Sequence, residues 1–289
     1  MSKKKAVFIT GISSGIGYDA TRMLLENGYQ VIGTVRKAED RDRLLQQFAS
    51  DLYVLLMDVT DDEKIKALPE EVSRILNGRP LTGLVNNAGL AIPGPMRYLA
   101  DEDFAYQMEV NVMAVRKVTN ALLPFLGMDS AFSNHAGKII NISSISGLFN
   151  SPFNGAYCIS KHALESMNEV YRRELLPFGI EVISIQPGPI KTTIWKKNLG
   201  IMGKYKDTEY GHMVGKADRM IENSEKNALP VEVISALILK ILQTRKPKTQ
   251  YLVHKNSFMF KLITRFVPDR WVDRMIWKKL EGGDSYRPV

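Results

Sequence analysis

Thr10-Gly11-Ile12-Ser13-Ser14-Gly15-Ile16-Gly17 is the stretch on which the reading of this chain turns. It follows the short apolar run Ala6 to Thr10, rich in strand formers, and precedes the helix-forming Tyr18 to Asn27. The order is strand, tight loop, helix. In that setting Gly11 takes the sharp turn, Gly15 removes a side chain where a pyrophosphate has to approach, and Gly17 permits close helix packing. The helix N-terminus is then aimed at an anion.

Outward from this turn the same alternation continues. Tyr29 to Val35, Leu52 to Met57, Leu81 to Asn86, Lys138 to Ser143 and Ile180 to Ile185 read as further strands, with Tyr251 to Val253 as a short last one. Helical patterns fill the gaps at Glu39 to Phe48, Ile65 to Leu76, Asp103 to Leu126, Tyr157 to Leu176 and Leu229 to Leu242. Short strands rich in Val, Ile and Leu, separated by helices, predict an α/β fold: one doubly wound parallel sheet of six to seven strands covered on both faces. Residues 1–254 form the expected Rossmann domain, with glycine-punctuated residues 190–226 as a substrate loop, and 255–289 form a basic helical extension.

Composition narrows the function classes. The 289 residues are 45% hydrophobic and 24% charged, too apolar for a disordered chain and long enough for a substantial core. Net charge is +8, but residues 245–281 alone carry ten basic and three acidic side chains, so the body is electrically ordinary. Cys158 is the only cysteine, which excludes an internal disulfide and a cysteine-rich zinc site. His135, His162, His212 and His254 are dispersed, and no metal site is expected. The apolar stretch after Lys3, Lys4 and Lys5 stops at Gly11, which argues against a signal peptide. No apolar run is long enough to span a bilayer, so the expectation is a cytoplasmic protein, with peripheral membrane contact through the basic extension left open.

With three residues between its first two glycines, the turn resembles the Thr-Gly-x-x-x-Gly-x-Gly motif of the short-chain dehydrogenase/reductase family, in particular its hydroxysteroid and retinol dehydrogenase branch. The resemblance covers about residues 5–253 and implies an oxidoreductase. It places Thr10, Gly11, Ser13, Ser14, Gly15, Ile16 and Gly17 around the cofactor phosphates, Asp58 and Val59 beside the adenine, and Asn87, Ala88 and Gly89 against the cofactor after the fourth strand. Pro187, Gly188, Ile190 and Thr192 match the turn over the nicotinamide. At the end of the second strand Val35 stands where an acidic side chain would receive a ribose hydroxyl, and Arg36 and Lys37 follow it. Basic groups there suit a 2′-phosphate, so NADP(H) is expected over NAD(H).

The catalytic expectation rests on Tyr157 and Lys161, four residues apart on one helix face, and on Ser144, thirteen residues before the tyrosine. A phenol of ordinary pKa near ~10 is a poor acid at neutral pH, and a nearby ammonium favours its ionised form. In the family such a serine polarises a carbonyl, the tyrosine transfers the proton, and the lysine holds the nicotinamide ribose. Asn111 resembles the fourth member, which holds a water for a proton relay. Ser143 is expected to face a neighbouring backbone instead.

Phe149, Phe153 and Trp195, together with Ser144, fall at family positions that flank the substrate. They suggest a small apolar alcohol or carbonyl compound, with steroids, retinoids and lipid derivatives as candidates. The long helices resemble those of the family's subunit interface, implying a homodimer or homotetramer. The tail, from Phe258 to Leu280, interleaves large apolar with basic side chains and reads either as a cap on the cleft or as a membrane or subunit contact. It carries no nucleic-acid recognition motif, and no nucleic-acid partner is expected. The rival to an enzyme is a non-catalytic NADP(H)-binding sensor or interaction protein on the same fold.

Overall fold

The computed structural model describes residues 4–48, 50–192, 200–226 and 228–281. Seven strands, β1 (Ala6–Ile9), β2 (Gln30–Val35), β3 (Leu52–Leu56), β4 (Leu81–Asn86), β5 (Lys138–Ile142), β6 (Glu181–Pro187) and β7 (Gln250–Val253), form one sheet in the order β3-β2-β1-β4-β5-β6-β7. All neighbouring pairs are parallel. The chain builds to one side of β1 and then crosses to the other for β4, which opens a crevice at the carboxyl ends of these two strands.

The helices are α1 (Gly15–Glu26), α2 (Ala38–Gln47), α3 (Asp62–Leu76), α4 (Asp101–Met108), α5 (Ala114–Leu122), α6 (Gly155–Glu174), α7 (Gly211–Lys226), α8 (Glu232–Gln243), α9 (Ser257–Phe266) and α10 (Asp269–Glu281). Because successive strand side chains point to opposite faces, β1 serves two cores. Val7 and Ile9 meet Ala20 and Leu24 of α1 and Ile234, Ile238 and Ile241 of α8. Ala6 and Phe8 belong to the opposite layer, with Ile65, Leu68 and Val72 of α3 and Val118 and Leu122 of α5. Both faces being covered explains why the strands read as nearly continuous apolar runs. Local signals set the helix ends: the Asp61 carboxylate accepts from the N–H groups of Glu63 and Lys64 to start α3, and Asn77, left-handed at φ 46°, stops it.

Two expectations are corrected. The single helix expected over 103–126 is α4, a π-helical turn at Glu109–Met113, α5, and a 3₁₀ turn at Leu123–Leu126. The interruption coincides with Asn111, whose amide leaves the helix to bond the backbone of Leu90. The region read as a loop after Pro187 also contains regular structure, a 3₁₀ turn at Ile201–Tyr205 and all of α7. Met202, Tyr205 and Val214 pack there with Phe153 in a small apolar cluster of their own, which offsets the poor helix propensity of the glycines. Beyond β7, α9 and α10 form a strap, and α10 packs on α7.

Candidate active site

The floor of the crevice is tied by Thr10 and Asn87. Thr10 Oγ1 accepts from the N–H groups of Asn87 and Ala88, each at 2.9 Å, while Asn87 Nδ2 donates to the carbonyls of Thr10 (2.9 Å) and Gly11 (2.8 Å). These bonds lock the end of β4 to the loop after β1. Gly11 and Gly15 have φ of +71° and +60°, where a side chain is strained. A Cβ on Gly17 would stand 2.2 Å from the Gly11 carbonyl oxygen, so this glycine sets how closely α1 approaches the loop. Ser14, extended before α1, makes no side-chain cap bond to the helix, and Gly15 and Ile16 at the start of α1 line the cleft.

The cleft above this floor has a volume of about 600 Å³. Gly11, Ser13, Ser14, Gly15 and Ile16 line one wall, Arg36, Lys37, Asp58 and Val59 the far end, and Asn87, Ala88 and Gly89 the base. Ser144, Tyr157 and Lys161 line the opposite end with Pro187, Gly188, Ile190 and Thr192. Thr10, Gly17 and Asn111 lie behind the surface and shape it from there, Thr10 and Asn111 through hydrogen bonds and Gly17 through close packing.

Arg36 and Lys37 are exposed at the rim. Asp40 lines the same end, but Arg43 pairs with it at 2.9 Å and also donates to the Ser13 carbonyl at 2.7 Å. Arg43 therefore pairs with a carboxylate that shares this end of the cleft with the two basic side chains and ties α2 to the glycine loop. In the sequence it reads only as one more charge on a solvated helix.

α6 delivers Tyr157 and Lys161. Lys161 Nζ is buried, donates to the Ile142 carbonyl at 2.9 Å, and lies 5.7 Å from the centre of the Tyr157 ring. Burial pulls its pKa down to about 8, with Glu165 one turn further on pulling in the other direction. The Tyr157 phenol is pushed up to about 12 by burial, against the effect of its hydrogen bond with Ser144. Ser144 Oγ also accepts from the N–H of Ser146 at 3.0 Å, which fixes its rotamer. Asn111 Nδ2 donates to the Leu90 carbonyl (2.9 Å) and Ser160 Oγ (3.0 Å), and its Oδ1 accepts from the Leu90 N–H (3.0 Å). A Cβ on Gly89 would lie 3.3 Å from that Oδ1 and 3.8 Å from Lys161 Nζ, so both groups converge on this glycine.

Three features are not legible in the sequence. The Ser143 N–H does bond a neighbouring backbone, the Ile185 carbonyl at 2.8 Å, but the residue also lines the cleft, and its buried hydroxyl has no hydrogen-bond partner among the described residues. Glu165 is buried, accepting from Ser184 Oγ (2.6 Å) and Gln186 Nε2 (2.9 Å) on β6. Beneath the site a polar ladder crosses the core, with Asn86 donating to Thr119 and Asn141, and Asn141 donating to Asn168 on α6. Of the expected substrate residues, Phe149 and Phe153 do not line the cleft. Phe149 packs on Phe260 of α9 and Phe153 on Tyr210. Trp195 lies outside the described residues.

A family model for the short chain dehydrogenases matches residues 5–200. The chain is 38% identical over 273 residues to an NADPH-dependent 3-dehydrocapnine reductase of Ornithobacterium rhinotracheale, covering 94% of this chain and 96% of the relative. It is 36% identical over 196 residues to retinol dehydrogenase 16 of Homo sapiens, covering 68% of this chain and 60% of that one. A short-chain dehydrogenase of Streptomyces avermitilis shares the fold at a TM-score of 0.78 and 24% identity, over 99% of this chain and 100% of the other. The chain belongs to the short-chain dehydrogenase family of oxidoreductases.

Proposed function

We propose that the protein is an NADP(H)-dependent reductase of apolar ketones or aldehydes, with Ser144, Tyr157, Lys161 and Asn111 as its catalytic set. The observation that carries this reading is the meeting of the Ser144 and Tyr157 hydroxyls with the Lys161 ammonium at one end of a glycine-floored cleft. The residues present fit a nicotinamide dinucleotide. The N–H groups at the start of α1 suit its pyrophosphate, the side-chain-free approach at Gly15 leaves room for it, and the orphan Ser143 hydroxyl offers a polar contact at the nicotinamide end. Arg36 and Lys37, with Asp40 neutralised by Arg43, favour a 2′-phosphate over a bare ribose hydroxyl. The similarity to an NADPH-dependent reductase supports the same preference.

The bound nicotinamide supplies the hydride. Ser144 donates a hydrogen bond to the substrate carbonyl oxygen, and Tyr157, protonated at neutral pH because burial holds its pKa at about 12, gives that oxygen its proton as negative charge develops. Lys161 holds the nicotinamide ribose from its seat on the Ile142 carbonyl and favours the phenolate left after transfer. Asn111, fixed by Leu90 and Ser160, has an acceptor position left on Oδ1 for a water shared with Lys161. Similarity to a retinol dehydrogenase supports an apolar substrate. The exposed apolar side chains of Tyr106, Met113, Ile159 and Val170, on α4, the π turn and α6, support a homo-oligomer through these helices.

Paired titrations with NADPH and NADH, followed by a panel of carbonyl compounds and alcohols with the preferred nucleotide, test the reading. NADPH is expected to bind at least ten times more tightly, and Tyr157→Phe to bind it normally while losing turnover. Unchanged turnover in that variant would remove the tyrosine from the chemistry. Tight NADPH binding with no turnover on any carbonyl compound or alcohol would favour a sensor.

A further inference from the structure

The strap formed by α9 and α10 has two faces of different character. Its inner face adjoins the catalytic end of the cleft: the Phe260 ring meets Phe149, five residues after Ser144, at 6.1 Å and His254 at 5.6 Å. His254 in turn abuts Gly188, where a Cβ would come within 2.6 Å of its ring. Leu280 of α10 is buried. The outer face is apolar and exposed. Phe258, Leu262 and Phe266 recur every fourth residue along α9, with Phe258 81% and Phe266 70% accessible, and Trp271, 65% accessible, stands one turn from Met275 on α10.

Around these apolar side chains the exposed charges are mainly positive. Arg265 lies over the Phe266 ring, Arg274 and Lys278 share the helix face of Trp271 and Met275, Lys255 precedes α9 and Arg270 lies in the first turn of α10, against Asp269 and Asp273. The side chains of Lys261 and Lys279 lie outside the described set. An exposed apolar stripe with Trp and Phe at its centre and Lys and Arg at its edges is the chemistry of an interfacial helix on a negatively charged bilayer. A second copy of this chain fits less well, because a two-fold contact sets the same patch against itself and brings this excess of positive charge together.

We infer that the α9–α10 strap docks on an anionic lipid bilayer and seats the substrate end of the cleft against it, so that an apolar carbonyl compound enters from the membrane. This rests on the reductase reading for the entry of substrate, although the docking itself needs no turnover. No described helix is long and apolar enough to cross the membrane, so the contact is peripheral.

Sedimentation of the full chain with vesicles of phosphatidylcholine alone, or of phosphatidylcholine containing phosphatidylglycerol, tests it. At least tenfold more protein should sediment with the anionic vesicles at low salt, and the excess should vanish at high salt. The pair Phe266→Ser and Trp271→Ser should lose most of the binding while NADPH affinity and turnover of a water-soluble ketone stay within twofold of the parent. The pair Arg270→Glu and Arg274→Glu, which spares the apolar face, should lose it as well. No sedimentation, equal sedimentation on neutral vesicles, or light scattering showing that the serine pair dissociates a homo-oligomer would overturn the docking. Intact vesicle binding without turnover of any carbonyl would leave the docking standing and remove the reductase reading.

Discussion

The Nζ of Lys161 donates to the Ile142 carbonyl at 2.9 Å, which seats the ammonium inside the protein at the end of β5. Its pKa falls from 10.5 to about 8, a loss of about 3 kcal/mol that the folded protein bears whenever the group is charged. Below pH 8 the cost is complete. Between about 8 and 10.5 the unfolded chain binds the proton and the folded one does not, so this group makes stability rise with pH. Lys161→Met should therefore raise the Tm at pH 7, with the gain fading toward pH 10. Melting curves across this range check it, and a gain independent of pH would show that the charge is not its origin. Tyr157 acts oppositely and later, since a folded pKa of about 12 above an ordinary 10.0 makes stability fall between those values.

Ser143 gives a prediction in which apo stability and ligand affinity move apart. Its hydroxyl is buried in the cleft wall with no partner among the described residues, so Ser143→Ala removes an unsatisfied group from the ligand-free protein. The variant should melt at or above the parent temperature without nucleotide, yet bind NADPH several-fold more weakly. Differential scanning fluorimetry with and without NADPH reads both. A variant that melts lower without nucleotide would mean the hydroxyl already has a partner.

Arg36 and Lys37 should separate the two nucleotides. Arg36→Ala is expected to weaken NADPH by about ten- to a hundredfold, the scale of a lost charge-assisted contact of about 1.5–3 kcal/mol, while leaving NADH within a factor of two. Equal losses for both nucleotides would place the guanidinium away from the 2′-phosphate. Arg43→Ala should act less selectively, because it frees the Asp40 carboxylate and also releases the Ser13 carbonyl.

The ladder of Asn86, Asn141 and Asn168 joins β4, β5 and α6 beneath the site. Asn141→Ala takes one partner from each of two buried amides, leaving Asn86 with Thr119 alone, and should cost about 1–3 kcal/mol in chemical denaturation. Because α6 carries Tyr157 and Lys161, the loss should reach turnover as well as stability. Unchanged stability would mean that the neighbouring amides find other partners.

The sheet was legible almost strand by strand, because each strand is an apolar run closed by Gly, Asn or Asp, and burial on both faces leaves little polar interruption to obscure it. The glycine turn and the Ser144, Tyr157 and Lys161 set were legible because their spacing is local in sequence. The π turn was not, since it tracks a contact between Asn111 and Leu90 that lies twenty-one residues back, while the apolar pattern runs on through it. α7 was hidden by Gly211 and Gly215, and it is kept helical by packing on the strap and on Tyr205. Glu165 reads as an ordinary surface position on a helix until β6 brings Ser184 and Gln186 against it. Ser143 falls just past the last residue of β5, where the alternation of faces no longer decides direction.

The widened turn at Glu109–Met113 has a bearing on how this chain can diverge. One surplus residue in a helix turns everything after it by about 100° relative to everything before. Trimming a residue from this segment would swing Val118 and Leu122 off the sheet, or else pull Asn111 away from Leu90, so length is fixed here even where residue identity is free. Insertions and deletions should accumulate before α4 and after α5 and be purged between them.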